Sequence, residues 1–168
     1  MKLTDNDLEM MLQAKSASFN STCARRKIGV YIPVPGTEDT IAVQANNNPQ
    51  STKQCCMREA NVCPSIHAEV NAVMNLGAYK YQVFKLYIWA ETPCHQCLSF
   101  IRRHSAITDI YCLTTESYGV EYSRVLDRTS EIRLRDDYAD SLGFQIHKLD
   151  VKEIKEYELS TLRKTYTE

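Results

Sequence analysis

Two short stretches carry side chains that bind soft or borderline metals: HAE at residues 67–69 and PCHQC at 93–97. Neither is a complete site. A zinc centre takes three or four protein ligands, so the fold must bring the two stretches together or leave both idle. No other feature constrains the chain as strongly. SIHAEVNAVMNLGA reads as a helix that Gly77 would stop, and CHQCLSFIRRHS as a helix opened by Pro93 and Cys94. KLYIWAET, between them, reads as a strand. Each motif thus lies at the first turn of a helix. Two helix N-termini meeting beside a sheet would set one imidazole, His67, and two thiolates, Cys94 and Cys97, around one point. Cys94 and Cys97 are three apart and share a helix face, and unpaired N–H groups at a helix start favour thiolates.

Three protein ligands leave the fourth tetrahedral position for water, the arrangement of catalytic zinc. Glu69 follows His67 by two residues. At an irregular first turn it can reach that water without binding the metal, and a carboxylate so placed is a proton shuttle. Backbone N–H groups near Ala68 and Cys94 are natural partners for a substrate carbonyl. Alone, HAE is an ordinary helix start, and CHQC fits a redox dithiol or half of a structural zinc site. His95 should point away from the metal and be exposed.

The remaining pattern supplies a setting. A helix begins near Thr4 or Asp5, with Leu8, Met11, Leu12 and Ala14 or Ala17 on its apolar face. KIGVYIPV and TIAVQA flank the turn PGTED as a hairpin. After the polar loop NNNPQSTKQ, helices and strands alternate through ITDIYCLTT, EIRLRDDYADSLG and FQIHKLD to the helical VKEIKEYELSTLRKTY. This order implies a three-layer α/β/α sandwich with a mixed five-stranded sheet. The 168 residues read as a single domain, with a core over about 4–150 and a helical tail over 151–168.

Composition narrows the function. The chain is 43% hydrophobic and 24% charged, as globular chains are. No apolar run approaches the roughly 20 residues that span a bilayer, and the charged, amphipathic N-terminus is no secretion signal. A cytoplasmic protein without membrane contact is expected. A net charge of −1 argues against a nucleic-acid partner. The odd count of seven cysteines argues against a disulfide framework. Cys112, inside DIYCLTT, reads as a core thiol. Cys23, Cys55, Cys56 and Cys63 offer four thiols, enough for a closed structural zinc site, with His104 or His147 as an alternative fourth ligand. Arg25, Arg26 and Lys27 form a basic cluster able to meet an anionic group, and Tyr118 and Tyr122 could close over a bound ligand as a lid.

The spaced signature H-x-E…P-C-x-x-C is that of the zinc-dependent nucleobase deaminases, and the chain resembles them. It looks most like the deoxycytidylate (dCMP) deaminases, through CARRKIGVYI, QANNNP, CPSIHAEVNAV and RDDYADSLGFQIHKL, over about residues 4–150. The resemblance implies that zinc held by His67, Cys94 and Cys97 generates hydroxide for attack at C4 of cytosine. Glu69 would pass a proton to N3 and then to the departing amine, giving uracil and ammonia. It also implies a sugar contact from Asn46. Ala45 and Asn47 depart from the tyrosine and glycine that flank that asparagine in the family, which leaves control by dCTP and dTTP open. Some family members carry a second, structural zinc, with ligands at places matching Cys23 and Cys55. The family's common assembly is a hexamer, so a homo-oligomer is expected. Two other readings stand beside dCMP hydrolysis. One is an editing deaminase acting on tRNA or single-stranded DNA. The other is a non-enzymatic zinc module, against which Glu69 argues. Deoxycytidine, dCTP and modified cytosines remain open as substrates.

Overall fold

The computed structural model describes residues 3–23, 26–36, 42–45, 65–114 and 128–167. Five strands among them form one sheet: β1 (Gly29–Ile32), β2 (Ala42–Ala45), β3 (Lys85–Ile88), β4 (Asp109–Leu113) and β5 (Gln145–Leu149), in the order β2-β1-β3-β4-β5. β1 runs antiparallel to β2 and β3, whereas β3, β4 and β5 are parallel. The helices are α1 (Asp5–Ser18), α2 (Ala68–Asn75), α3 (His95–His104), α4 (Arg128–Ser141) and α5 (Val151–Thr167), with a 3₁₀ turn over Gly77–Tyr81. This is the expected mixed sheet, hairpin included. No helix among the described residues is long and apolar enough to cross a membrane.

Successive strand side chains point to opposite faces. Val30, Ile32, Leu86, Ile88, Ile110 and Cys112 meet Ala68, Ala72, Leu98, Ile101 and Ala139 of α2, α3 and α4. Tyr31, Tyr87, Tyr111, Leu113 and Leu149 meet Met11 and Ala14 of α1 and Ile154 of α5. Helices therefore cover both faces, which makes the three layers and explains why the central strands read as nearly unbroken apolar runs. Cys112 is the fully buried thiol its setting suggested, and burial pushes its pKa up to about 11. The C-terminal helix belongs to the second layer: Ile154 is wholly buried, and Glu158 pairs with Lys15 of α1 at 2.6 Å.

Two glycines hold positions that other residues occupy only at a cost. Gly77 takes φ +55° just past α2, ending it as expected. Gly29 lets α1 lie directly on β1, since a Cβ there would stand 2.1 Å from the Ala14 carbonyl oxygen and 2.4 Å from the Ser18 nitrogen.

The apolar stripe of α1 carries a buried carboxylate. Thr4 caps the helix, and its backbone N–H and hydroxyl donate to Asp7 at 3.1 and 2.7 Å. The Tyr87 hydroxyl donates to Asp7 at 2.7 Å and the Lys85 ammonium at 3.2 Å. Tyr87 stacks on Tyr111 and Tyr111 on His147, all three in register across the parallel strands. Burial works to raise the Asp7 pKa, but the hydrogen bonds from Thr4, Tyr87 and Lys85 outweigh it and lower the pKa to about 2. The folded pKa lies below the unfolded one, so this contribution is complete above about pH 4 and is lost as the pH falls toward 2. Asp7→Ala should therefore cost about 2–3 kcal/mol in denaturant unfolding at pH 7. The cost should shrink as unfolding is measured at successively lower pH. A loss that is the same at pH 7 and pH 2.5 would contradict this account.

Candidate metal centre

His67 is the residue just before α2, with φ −65° and ψ 144°, and Cys94 is the residue just before α3, with φ −68° and ψ 161°. Each stands one step outside the first turn where the sequence reading put it. No side-chain cap closes either helix, and His67 and Cys94 turn toward a common point. Cys97 lies within the first turn of α3. The three ligand atoms all fall within 4.8 Å of one another. His67 Nδ1 is 3.2 Å from Cys97 Sγ and 3.6 Å from Cys94 Sγ.

These separations suit an ion. Ligands bound to zinc at about 2.0–2.3 Å in tetrahedral geometry lie roughly 3.5 Å apart. The charge state agrees. The hydrogen bond from the Cys97 thiol, with help from His67 and the Cys97 N–H, outweighs burial and lowers the Cys94 pKa to about 3. The same hydrogen bond, burial and the nearby Glu69 push the Cys97 thiol strongly up. Without a cation the two sulfurs share one proton, which a divalent ion would displace.

Glu69 completes the set. It is 3% exposed, and its Oε2 has no hydrogen-bond partner among the described residues. Burial raises its pKa, against partial relief from its own backbone N–H, His67 and the Cys97 thiol. A buried oxygen left unpaired beside one imidazole and two thiols is the mark of a group awaiting a partner that binds at the same place. Ala68, fully buried, separates Glu69 from His67.

The turn that delivers Cys94 is held by Glu91, Thr92, Arg135, Asp136 and Lys148, which the sequence reading missed, and by Arg26, which it assigned to an anionic group. Arg26 Nη2 lies 2.9 Å from Glu91 Oε2, and the Glu91 side chain is 4% exposed. Thr92 is buried, with its hydroxyl bonded to Asp136 and Lys148 and its carbonyl accepting from Arg135. These partners come from α4, β5 and the chain before β1. No local spacing could have announced them.

Other expected site residues fall as follows. Cys23 is buried. Its three proposed companions Cys55, Cys56 and Cys63 lie outside the described residues, as do Arg25, Asn46, Tyr118 and Tyr122. His147 stacks on Tyr111 and pairs with Asp109 at 2.9 Å, and the His104 ring lies against Phe100. Neither histidine joins a metal-ligating group among the described residues. His95 is exposed, as expected, with its ring edge-on to Tyr138.

An imidazole and two thiolates at two converging helix starts, over a mixed sheet, define a zinc-type hydrolytic deaminase. Residues 4–114 match the cytidine and deoxycytidylate deaminase zinc-binding region, and the chain belongs to that family. No curated protein matches it significantly. Among solved structures, the apo dCMP deaminase of cyanophage S-TIM5 overlays with a TM-score of 0.62 at 21% identity, over 89% of this chain and 100% of that one. The same enzyme in complex with dCMP and dUMP gives 0.65 at 20% identity, with the same coverage. A structure from work on A-to-I editing by tRNA:A34 deaminases gives 0.47 at 20% identity, over 92% of this chain and 98% of that one. At these identities the likeness is one of fold.

Glu69 should burden the metal-free protein, because burying a carboxyl with an unpaired oxygen costs stability. Glu69→Leu, which removes the unpaired polar atom, should raise the melting temperature of metal-free protein, by roughly 2–4 °C for each kcal/mol recovered. A lower melting temperature in that variant would show that Glu69 is satisfied after all.

Proposed function

We propose that the protein hydrolyses dCMP to dUMP and ammonia. The observation that carries the deaminase chemistry is the buried, unpaired Oε2 of Glu69 beside His67, Cys94 and Cys97. His67, Cys94 and Cys97 would hold zinc. Bound there, zinc lowers the pKa of water to about 7 and so supplies a hydrolytic nucleophile near neutral pH. Glu69 would take one proton from that water and pass it to N3 of the base, and would then carry the second, from the hydroxyl left at C4, to the leaving amine. Its raised pKa suits a group that must give up a proton as well as take one. The backbone N–H groups of Ala68 and Cys94 would orient the base carbonyl. Water and cytosine thereby become uracil and ammonia, with no other reactant.

The choice of dCMP rests on the sequence resemblance and on one basic group. Arg26, partly exposed, is anchored by Glu91 three residues before Cys94, so a guanidinium is fixed beside the turn that carries a ligand. Arginine so held suits a phosphate. Arg25 would assist it, Asn46 would bind the sugar, and Tyr118 would cover the base. Cys23, Cys55, Cys56 and Cys63 would hold a second, structural zinc. The enzyme would work in the cytoplasm as a homo-oligomer, a hexamer by resemblance, with its active site near a subunit interface.

Ammonia release from dCMP, dCTP, deoxycytidine and a single-stranded oligonucleotide tests the reading. dCMP should be the best substrate, and Glu69→Ala should keep its zinc while losing about 10²–10⁴-fold in kcat. Arg26→Ala should raise KM for dCMP roughly 10- to 100-fold more than KM for deoxycytidine, the worth of a charged hydrogen bond. Faster turnover of the oligonucleotide would replace dCMP hydrolysis with editing. Undiminished turnover by Glu69→Ala would remove the assigned shuttle. Metal analysis should find about two zinc ions per chain, and a value near one would eliminate the structural site.

A further inference from the structure

Thr92 stands two residues before Cys94 and is 1% exposed. Its hydroxyl donates to the Asp136 carboxylate on α4 and accepts from the Lys148 ammonium on β5. Lys148 and Asp136 are themselves paired at 2.9 Å. Arg135, next to Asp136, donates to the Thr92 carbonyl at 3.1 Å and pairs with Glu131 one turn back. Both the hydroxyl and the carbonyl of Thr92 are thus fixed from outside its own turn. Pro93 follows, with its φ locked and no N–H to compete. An orientation imposed on Thr92 therefore passes through a stiff residue to Cys94.

Docking α4 onto the sheet would not need this chemistry. The charge pairs here are partly exposed, Lys148 at 27% and Asp136 at 35%, and such pairs add little net stability. What they add is a fixed geometry, and the groups behind metal ligands are where fixed geometry changes metal affinity. We propose that Asp136, Lys148 and Arg135 are positioning residues for the metal centre. They act through Thr92 to hold Cys94 Sγ where it meets His67 and Cys97. The inference rests on the reading of those three residues as a metal site.

The test titrates zinc and cobalt into metal-free wild type, Thr92→Ser, Thr92→Val, Asp136→Ala and the double variant Thr92→Val/Asp136→Ala. Thr92→Ser keeps the hydroxyl and should match wild type in zinc affinity and in the thiolate-to-cobalt absorption bands. Thr92→Val and Asp136→Ala should each lose about 10- to 100-fold in zinc affinity and shift the cobalt bands. The double variant should lose no more than the worse single one, because both act through one contact. Wild-type affinity and cobalt bands in folded Thr92→Val and Asp136→Ala, even with lowered melting temperatures, would reduce the cluster to scaffolding and overturn the proposal. Additive losses would overturn it as well. If either single variant does not fold, Asp136→Asn and Lys148→Met decide in the same way. Failure of wild type to bind either metal would overturn the metal reading together with this inference, an outcome distinct from a failure confined to the variants.

Discussion

His67 and Cys94 occupy the positions before helices where serine, threonine or aspartate would normally turn back to cap the first N–H groups. Here neither side chain does so. N–H groups at a helix start leave a region of positive potential there, and the His67 ring and the Cys94 and Cys97 sulfurs gather where the two starts meet. Much of the architecture serves to make these two starts meet. α2 and α3 lie on one face of the sheet and share one apolar core. β3 ends just before the turn that carries Cys94, and β1 lies beside it. The small Ala68 and Ala72, both fully buried, keep bulk out of the start of α2.

Two buried carboxylates show how the protein divides stability from chemistry. Asp7, on the α1 side of the sheet, receives hydrogen bonds from Thr4, Tyr87 and Lys85 and stays ionised down to about pH 2. Glu69, on the other side, is buried as deeply but keeps one oxygen unpaired, and burial pushes its pKa the opposite way. The same chemical group is thus held as an anion in one layer and pushed toward its neutral form in the other, because of what surrounds it. The first strengthens the fold, and the second weakens it in return for reactivity.

The layers were legible in the sequence because period and punctuation are local: strand alternation, the Thr4 cap, the Gly77 stop. The metal ligands were legible because their residue types and spacing are unusual together. His67 and Cys94 fell one residue outside their helices rather than in the first turns, a boundary that hydrogen bonding decides and composition does not. The pairs Arg26–Glu91, Thr92–Asp136 and Thr92–Lys148 were invisible, since their members lie 65, 44 and 56 residues apart. Each looks like an ordinary surface charge until the sheet is assembled. Asp7 was hidden for a related reason. An acidic residue in a first turn reads as complementing the helix dipole, and only the β3 register brings Tyr87 and Lys85 to it.

The charges around the Cys94 turn are matched. Arg26 pairs with Glu91, Arg135 with Glu131 and Lys148 with Asp136. This pairing follows from what the turn must present. An uncompensated cation close to the thiolates would repel a divalent ion and weaken its binding, since Coulomb interactions are strong where water is excluded. An uncompensated carboxylate would compete as a fourth ligand and close the position that water needs. Matched pairs escape both faults. They supply directional hydrogen bonds to Thr92 and a fixed guanidinium beside it, while adding little net field at the ligands. The turn is thereby held firmly without altering the charge balance of the two sulfurs, one imidazole and one buried carboxyl gathered beside it.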